Sequence, residues 1–169
     1  MREVNPKITI EVLTPDFNGH EDQLFVVMEA KPHIFNHNIE TVERLTPVVR
    51  SRAQYWQSLT VLKNAKAMSH RLEYRVATKS GIMLGLGESE AEVLQALDDL
   101  RAHDVTVLTM GQYLRPSIKH LPVVEYVLPE TFDRLKEIGL EKGFRHVASG
   151  PLVRSSYHAA DFKPELDIE

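Results

Sequence analysis

The sequence contains no cysteine. That absence excludes a disulfide, a thiolate nucleophile, a Cys-ligated zinc site and any iron–sulfur cluster held by the chain's own thiolates. Neither glycine (8) nor proline (9) is in excess, so collagen-like and low-complexity chains are excluded as well. No run approaches the ~18 apolar residues that a membrane span needs. The first six residues (Met1, Arg2, Glu3, Val4, Asn5, Pro6) form no apolar segment of signal-peptide type. A cytoplasmic protein without membrane association is therefore expected. Cationic side chains are outnumbered, 20 Lys and Arg against 24 Asp and Glu for a net charge of -4, so no nucleic-acid partner is expected. The phosphate-loop patterns G-x-x-x-x-G-K-[ST] and G-x-G-x-x-G are both missing. With 43% hydrophobic and 26% charged residues, the 169-residue chain has what one soluble domain with a buried core requires.

Two kinds of apolar segment alternate along the chain. Short β-branched or apolar runs at Ile8 to Leu13, Ile34 to Asn36, Tyr74 to Lys79 with Ile82 to Leu84, Val105 to Met110 and Phe144 to Ala148 read as about five strands. Between them, 20–30, Thr41 to Val49, Trp56 to Met68, Ser89 to Arg101 and Pro129 to Lys142 read as helices. The fourth has the clearest start. Ser89 with Glu92 three residues on forms a capping-box pattern, in which serine and carboxylate each satisfy a backbone N–H of the other. The last starts on Pro129 and stops at Gly143. Strands alternating with helices predict an α/β fold with a parallel sheet. A full (β/α)8 barrel needs roughly 250 residues, so the alternatives are a small open sheet or part of a barrel.

In parallel α/β folds, ligands are held by residues just past the carboxyl ends of strands. Those positions carry Thr14 to Phe17, Asn36 to Thr41, Thr78 to Glu88 and Gly111 to Pro116. For Gly81, Gly85 and Gly87, close backbone approach to a ligand and a tight turn before the Ser89 helix both stand as readings. For Asn36, Asn38 and Glu40 the choice is between ligand contacts and turn or cap chemistry. Lys79 suits either a Schiff base or an ion pair, and Arg115 either a carboxylate grip or plain solvation. His33 and His37, four residues apart on a strand-like segment, make a weak metal pair. The densest polar cluster, Arg154-Ser155-Ser156-Tyr157-His158, lacks the flanking glycines of a nucleophile elbow and reads locally as a helix start.

Taken together, these blocks resemble one family. ITIEVLTPDF (8–17), FNHNIETV (35–42), TKSGIMLGLGE (78–88), GQYLRPS (111–117) followed by HLPV (120–123), and GPLVRSSYHA (150–159) look like lipoyl synthase, in order and over nearly the whole chain. The resemblance implies a radical S-adenosylmethionine enzyme on a TIM-like (β/α) barrel. In such enzymes one [4Fe–4S] cluster cleaves S-adenosylmethionine, the resulting radical abstracts hydrogen from a carrier-bound octanoyl chain, and an auxiliary [4Fe–4S] cluster donates sulfur at C6 and C8. The implied partners are an octanoylated lipoyl carrier domain or the glycine cleavage H protein.

By position, Gly81, Met83, Gly85 and Glu88 match the family pattern G-x-I-x-G-x-x-E, with Met for Ile, which lies beside the cofactor adenine. Asn36, Asn38, Lys79, Gln112 and Arg115 carry over as cavity-lining candidates. Ser156, with Ser155 as fallback, aligns with the serine ligand of the auxiliary cluster, and Arg154 with a neighbouring group that tunes it. No residue of the chain is assigned as catalytic. Both cysteine triplets of the family lie in its amino-terminal half. The expectation is therefore a carboxy-terminal half, residues 1–162 forming about half of a radical-SAM-type barrel and 163–169 an acidic tail. Such a chain supplies only the serine ligand, is inactive alone, and has a Cys-bearing amino-terminal half as a further partner. A non-catalytic half-barrel that binds an acylated carrier protein is the alternative.

Overall fold

A computed structural model describes residues 4, 5 and 7–155. Five strands, β1 (Glu11–Leu13), β2 (Ile34–Asn36), β3 (Ala77–Leu84), β4 (Val107–Gln112) and β5 (His146–Gly150), form one sheet. Every neighbouring pair is parallel, and the spatial order is the sequence order. The connections run through α1 (Glu21–Glu29), then α2 (Thr46–Val49) with α3 (Tyr55–Arg71), then α4 (Glu90–Ala102), then α5 (Pro129–Glu141). A doubly wound sheet reverses its strand order to cover both faces. Here the order never reverses, and right-handed crossovers then place all helices on one face. The result is an arc of consecutive strand–helix units, about half of a TIM-like barrel.

The two faces differ as this geometry requires. Side chains two apart on a strand share a face. Phe35, Ile82, Leu84, Leu108, Met110 and Val147 point outward and pack with Leu59, Leu62, Leu97, Leu100, Phe132 and Leu135 of the helices in the main core. Each fully buried Leu or Phe there is worth about 1.5–3 kcal/mol. On the inner face Ile34, Ala77 and Val107 form a separate small apolar cluster at the amino ends of the strands.

Local chemistry fixes the element ends. Ser89 accepts from the Glu92 N–H while the Glu92 carboxylate accepts from Ser89 N–H, completing the capping box of α4. Arg44 adds an ion pair at 2.6 Å, and this guanidinium, with the Ser89 N–H, pulls the Glu92 carboxyl down to about 2. At the other end of α5, Gly143 adopts φ +92°. Its N–H reaches Leu140 O and the Phe144 N–H reaches Gly139 O, so a glycine closes the helix by the double bond of a left-handed cap.

Strands β4 and β5 each lie two residues further on than the expected Val105 to Met110 and Phe144 to Ala148, and three elements depart more clearly. The expected helix over 41–49 is a 3-10 turn (Glu43–Leu45) followed by the single turn α2, because Pro47 has no N–H and its ring would strike the carbonyl four residues back. Strand β3 runs unbroken through Ser80 and Gly81. Strand β1 is shorter than Ile8 to Leu13, since only three residues face β2. Among the described residues no helix is long and apolar enough to cross a membrane.

Candidate functional site

At the carboxyl ends of the strands the arc encloses a cavity of about 340 Å³, within the range of small-molecule sites. Its walls come from every strand end: Leu13 at the end of β1, Asn38 and Glu40 after β2, Gly81 and Met83 on β3, Thr109, Gly111 and Gln112 on β4, and Arg154 and Ser155 after β5.

Two glycines shape the wall. A Cβ at Gly81 would stand 2.7 Å from Thr109 Oγ1 and 2.9 Å from Asn38 Oδ1, so glycine leaves room for both polar groups beside β3. At Gly111 a Cβ would collide with the carbonyl of Val153, which lets the segment after β5 cross directly over β4 and bring Arg154 and Ser155 to the rim.

Asn38 and Glu40 form the polar centre. Asn38 Nδ2 donates to Glu40 Oε1 at 3.1 Å, while Asn38 Oδ1 is buried with no hydrogen-bond partner. Glu40 holds φ +67°, a strained value for a residue with a side chain. Strand β3 fixes that conformation, since Glu40 N–H donates to Gly81 O and Met83 N–H donates to Glu40 O. The arrangement presents a carboxylate and a bare amide oxygen, acceptors suited to hydroxyl or ammonium groups of a ligand.

The other candidates divide. Asn36 and Lys79 lie one layer deeper on the inner face. Lys79 Nζ is held by both Glu11 oxygens at 2.9 and 3.0 Å, and Asn36 Nδ2 donates to Glu11 Oε1 at 2.8 Å. The lysine is thus an ion-pair partner. Gly85 and Glu88 build the turn above β3: the Glu88 carboxylate accepts from the N–H groups of Gly85 and Leu86. Gln112 lines the cavity and also clasps the long segment after β4, donating to Glu125 O and accepting from Val127 N–H. Arg115 is outside the cavity and donates to the carbonyls of Ile118 and His120. His33 Nδ1 accepts from Ile10 N–H, and His37 Nδ1 stands 2.9 Å from Thr14 O, so each imidazole engages the backbone around β1. No group of three metal-ligating side chains occurs among the described residues. Ser156, Tyr157 and His158 lie outside the described residues.

Glu40, which the sequence left open between ligand contact and turn chemistry, lines the site, and Thr109 joins it with no mark in the sequence. The signal for Glu40 is its left-handed backbone beside β3, which no local pattern encodes.

No protein-family model matches the chain. Curated relatives do match. It is 57% identical over 159 residues to the lipoyl synthase of Treponema denticola, covering 94% of this chain and 53% of that protein. The lipoyl synthase of Chlorobaculum parvum is 53% identical over 168 residues, 99% of this chain and 56% of the relative. That of Caldanaerobacter subterraneus subsp. tengcongensis is 56% identical over 154 residues, 91% and 53% respectively. The chain spans about half the length of the curated relatives it matches.

Proposed function

The chain belongs to the lipoyl synthase family, and on that premise we propose that it forms the cofactor-facing half of an enzyme inserting two sulfur atoms at C6 and C8 of an octanoyl group. The acyl group is carried by a lipoyl carrier domain or the glycine cleavage H protein. The observation that carries the reading is the free Asn38 Oδ1 beside Glu40 in a glycine-walled cavity.

S-adenosylmethionine fits this wall. Its ribose hydroxyls and ammonium are donors, and Asn38 and Glu40 offer acceptors; Gly81, Met83 and Gly111 give the flat surface that an adenine needs. When bound and reduced by its cluster, S-adenosylmethionine supplies the hydrogen-abstracting chemistry. The chain's own part is to orient the cofactor through Asn38 and Glu40 and to exclude water behind Met83. The iron–sulfur clusters do not fit these residues alone, because the chain contains no thiolate. We assign Ser156, with Ser155 as fallback, as the one oxygen ligand to the auxiliary cluster and Arg154 as the charged group beside it. The cysteines come from a Cys-bearing amino-terminal half, without which this chain is inactive.

Calorimetric titration of the chain with S-adenosylmethionine tests the reading. Saturable binding that weakens in Glu40→Gln and Gly81→Val is expected. A folded chain that gives no binding, or variants that bind unchanged, would overturn it. A second reading, a non-catalytic module for an acylated carrier, is favoured by the exposed apolar side chains of Leu13 and Leu114 at the cavity. Retention of an octanoylated carrier in the absence of any cysteine-bearing partner separates it from the first.

A further inference from the structure

Asn38 and Glu40 stand on a loop, and a loop holds a ligand-facing geometry only when something rigid holds the loop. The backbone of Glu40 is pinned to β3 on one side. On the other side the Asn38 backbone is met by Arg50, twelve residues on in sequence. Its Nη1 donates to Asn38 O at 3.0 Å and to Ser58 Oγ at 3.1 Å, with Ile39 O at 3.5 Å. Ser58 is fully buried on α3, the 17-residue helix packed against β2 and β3. Arg50 is itself anchored, since its N–H closes α2 on Thr46 O.

We propose that Arg50 is the positioning residue of the site, tying the Asn38–Glu40 loop to α3 so that the Asn38 carboxamide oxygen stays turned to the cavity. This rests on the reading of the cavity as the S-adenosylmethionine site. Three restraints then converge on one side chain: the Glu40 carboxylate takes its amide N–H, Arg50 takes its backbone carbonyl, and Gly81 leaves it room. Arg50 is absent from the cavity wall and reaches it through the backbone of Asn38. All three contacts come from Nη1, whose two hydrogens serve Asn38 O and Ser58 Oγ, with Ile39 O at the 3.5 Å limit, and the planar guanidinium holds these two N–H directions fixed where an ammonium on a flexible stem does not.

The test compares the unaltered chain with Arg50→Ala, Arg50→Lys and Ser58→Ala by calorimetry with S-adenosylmethionine, by thermal melting and by the side-chain amide signals of 15N-labelled protein. Loss of one charge-assisted hydrogen bond predicts about tenfold weaker binding in Arg50→Ala. Arg50→Lys should recover part of the loss, and Ser58→Ala should show a smaller one. The Asn38 side-chain amide signal should move in Arg50→Ala while the signals of α4 and α5 stay in place, which a merely structural role would not produce. A folded Arg50→Ala with an unmoved Asn38 amide overturns the proposal, as does a binding loss that follows the melting temperature across the three variants. If the unaltered chain fails to bind S-adenosylmethionine, the cofactor reading falls, and the Asn38 amide signal alone still decides the role of Arg50.

Discussion

Lys79 and Glu11 show how a single residue changes meaning between sequence and fold. The lysine side chain is 4% exposed and both carboxylate oxygens of Glu11 hold its ammonium, so the pair is a largely desolvated unit. Removing one member leaves the other uncompensated, and Lys79→Met should cost about 3 kcal/mol in urea unfolding, with much of it regained in Lys79→Met/Glu11→Leu. A double variant no more stable than the single one would show that the pair is not coupled. His37 gives a second residue-scale expectation. Burial, with a smaller push from the Arg50 charge, holds its imidazole below the ordinary 6.5, against the opposing pull of Thr14 O. The unfolded chain then takes up a proton that the folded chain refuses. Stability is full above pH 6.5 and falls as the pH drops towards the lower folded value, by at most about 1.4 kcal/mol per pH unit for this group. Urea unfolding at stepwise lower pH should show that slope, reduced in His37→Gln. Of the site itself, the sequence made Gly81, Met83, Asn38 and Gln112 visible at strand ends. Glu40 was visible there too, open between ligand contact and turn chemistry, and Arg50 was not marked at all. Their roles depend on a left-handed backbone against β3 and on a carbonyl twelve residues away, neither of which has a local signature.

At the scale of elements, the segment from Tyr113 to Leu128 carries no helix or strand, yet it is fastened at several points. Val124 and Glu125 N–H groups donate to Gly85 O, Gln112 brackets Glu125 and Val127, and the Tyr113 hydroxyl donates to Leu121 O. Gly85 stands at φ +100°, and a side chain there would meet Glu125 O and the Gln112 amide. Gly85→Ala should therefore cost about 1–3 kcal/mol of strain and release the segment. Hydrogen exchange at Val124 and Val127 should rise in that variant while exchange in α4 stays unchanged; equal protection would show that the clasp contributes nothing. The same elements show why strand and helix bounds were only partly legible. Alternation and β-branching located all five strands, but Ser80 and Gly81 read as a break in β3. Pairing with β4 on one edge, and the Glu40 bridge to Gly81 O and Met83 N–H on the other, override the low strand propensity of glycine. Pro47 was in plain view, and its clash with a helix begun at Thr41 is a local effect. The capping box of α4 and the glycine stop of α5 depend only on near neighbours, and both stand where sequence put them.

For the molecule as a whole, the governing fact is the order of the strands. Among the described residues β1 and β5 each pair on one side only, so the arc has an unpaired strand at either flank. Unpaired parallel edges recruit further strands. Sedimentation of the chain alone should therefore show mass rising with concentration across the micromolar range, and a mass that stays at one chain throughout would show both flanks to be covered. The open arc also has a consequence for how it could be closed. Any body that completes the ring must meet two seams at once, and once seated on one it is held beside the other at high effective concentration. The joint is therefore bivalent: a substitution that weakens one seam should slow closure and speed release without abolishing it, whereas damage to both together should cost far more than the sum of the two.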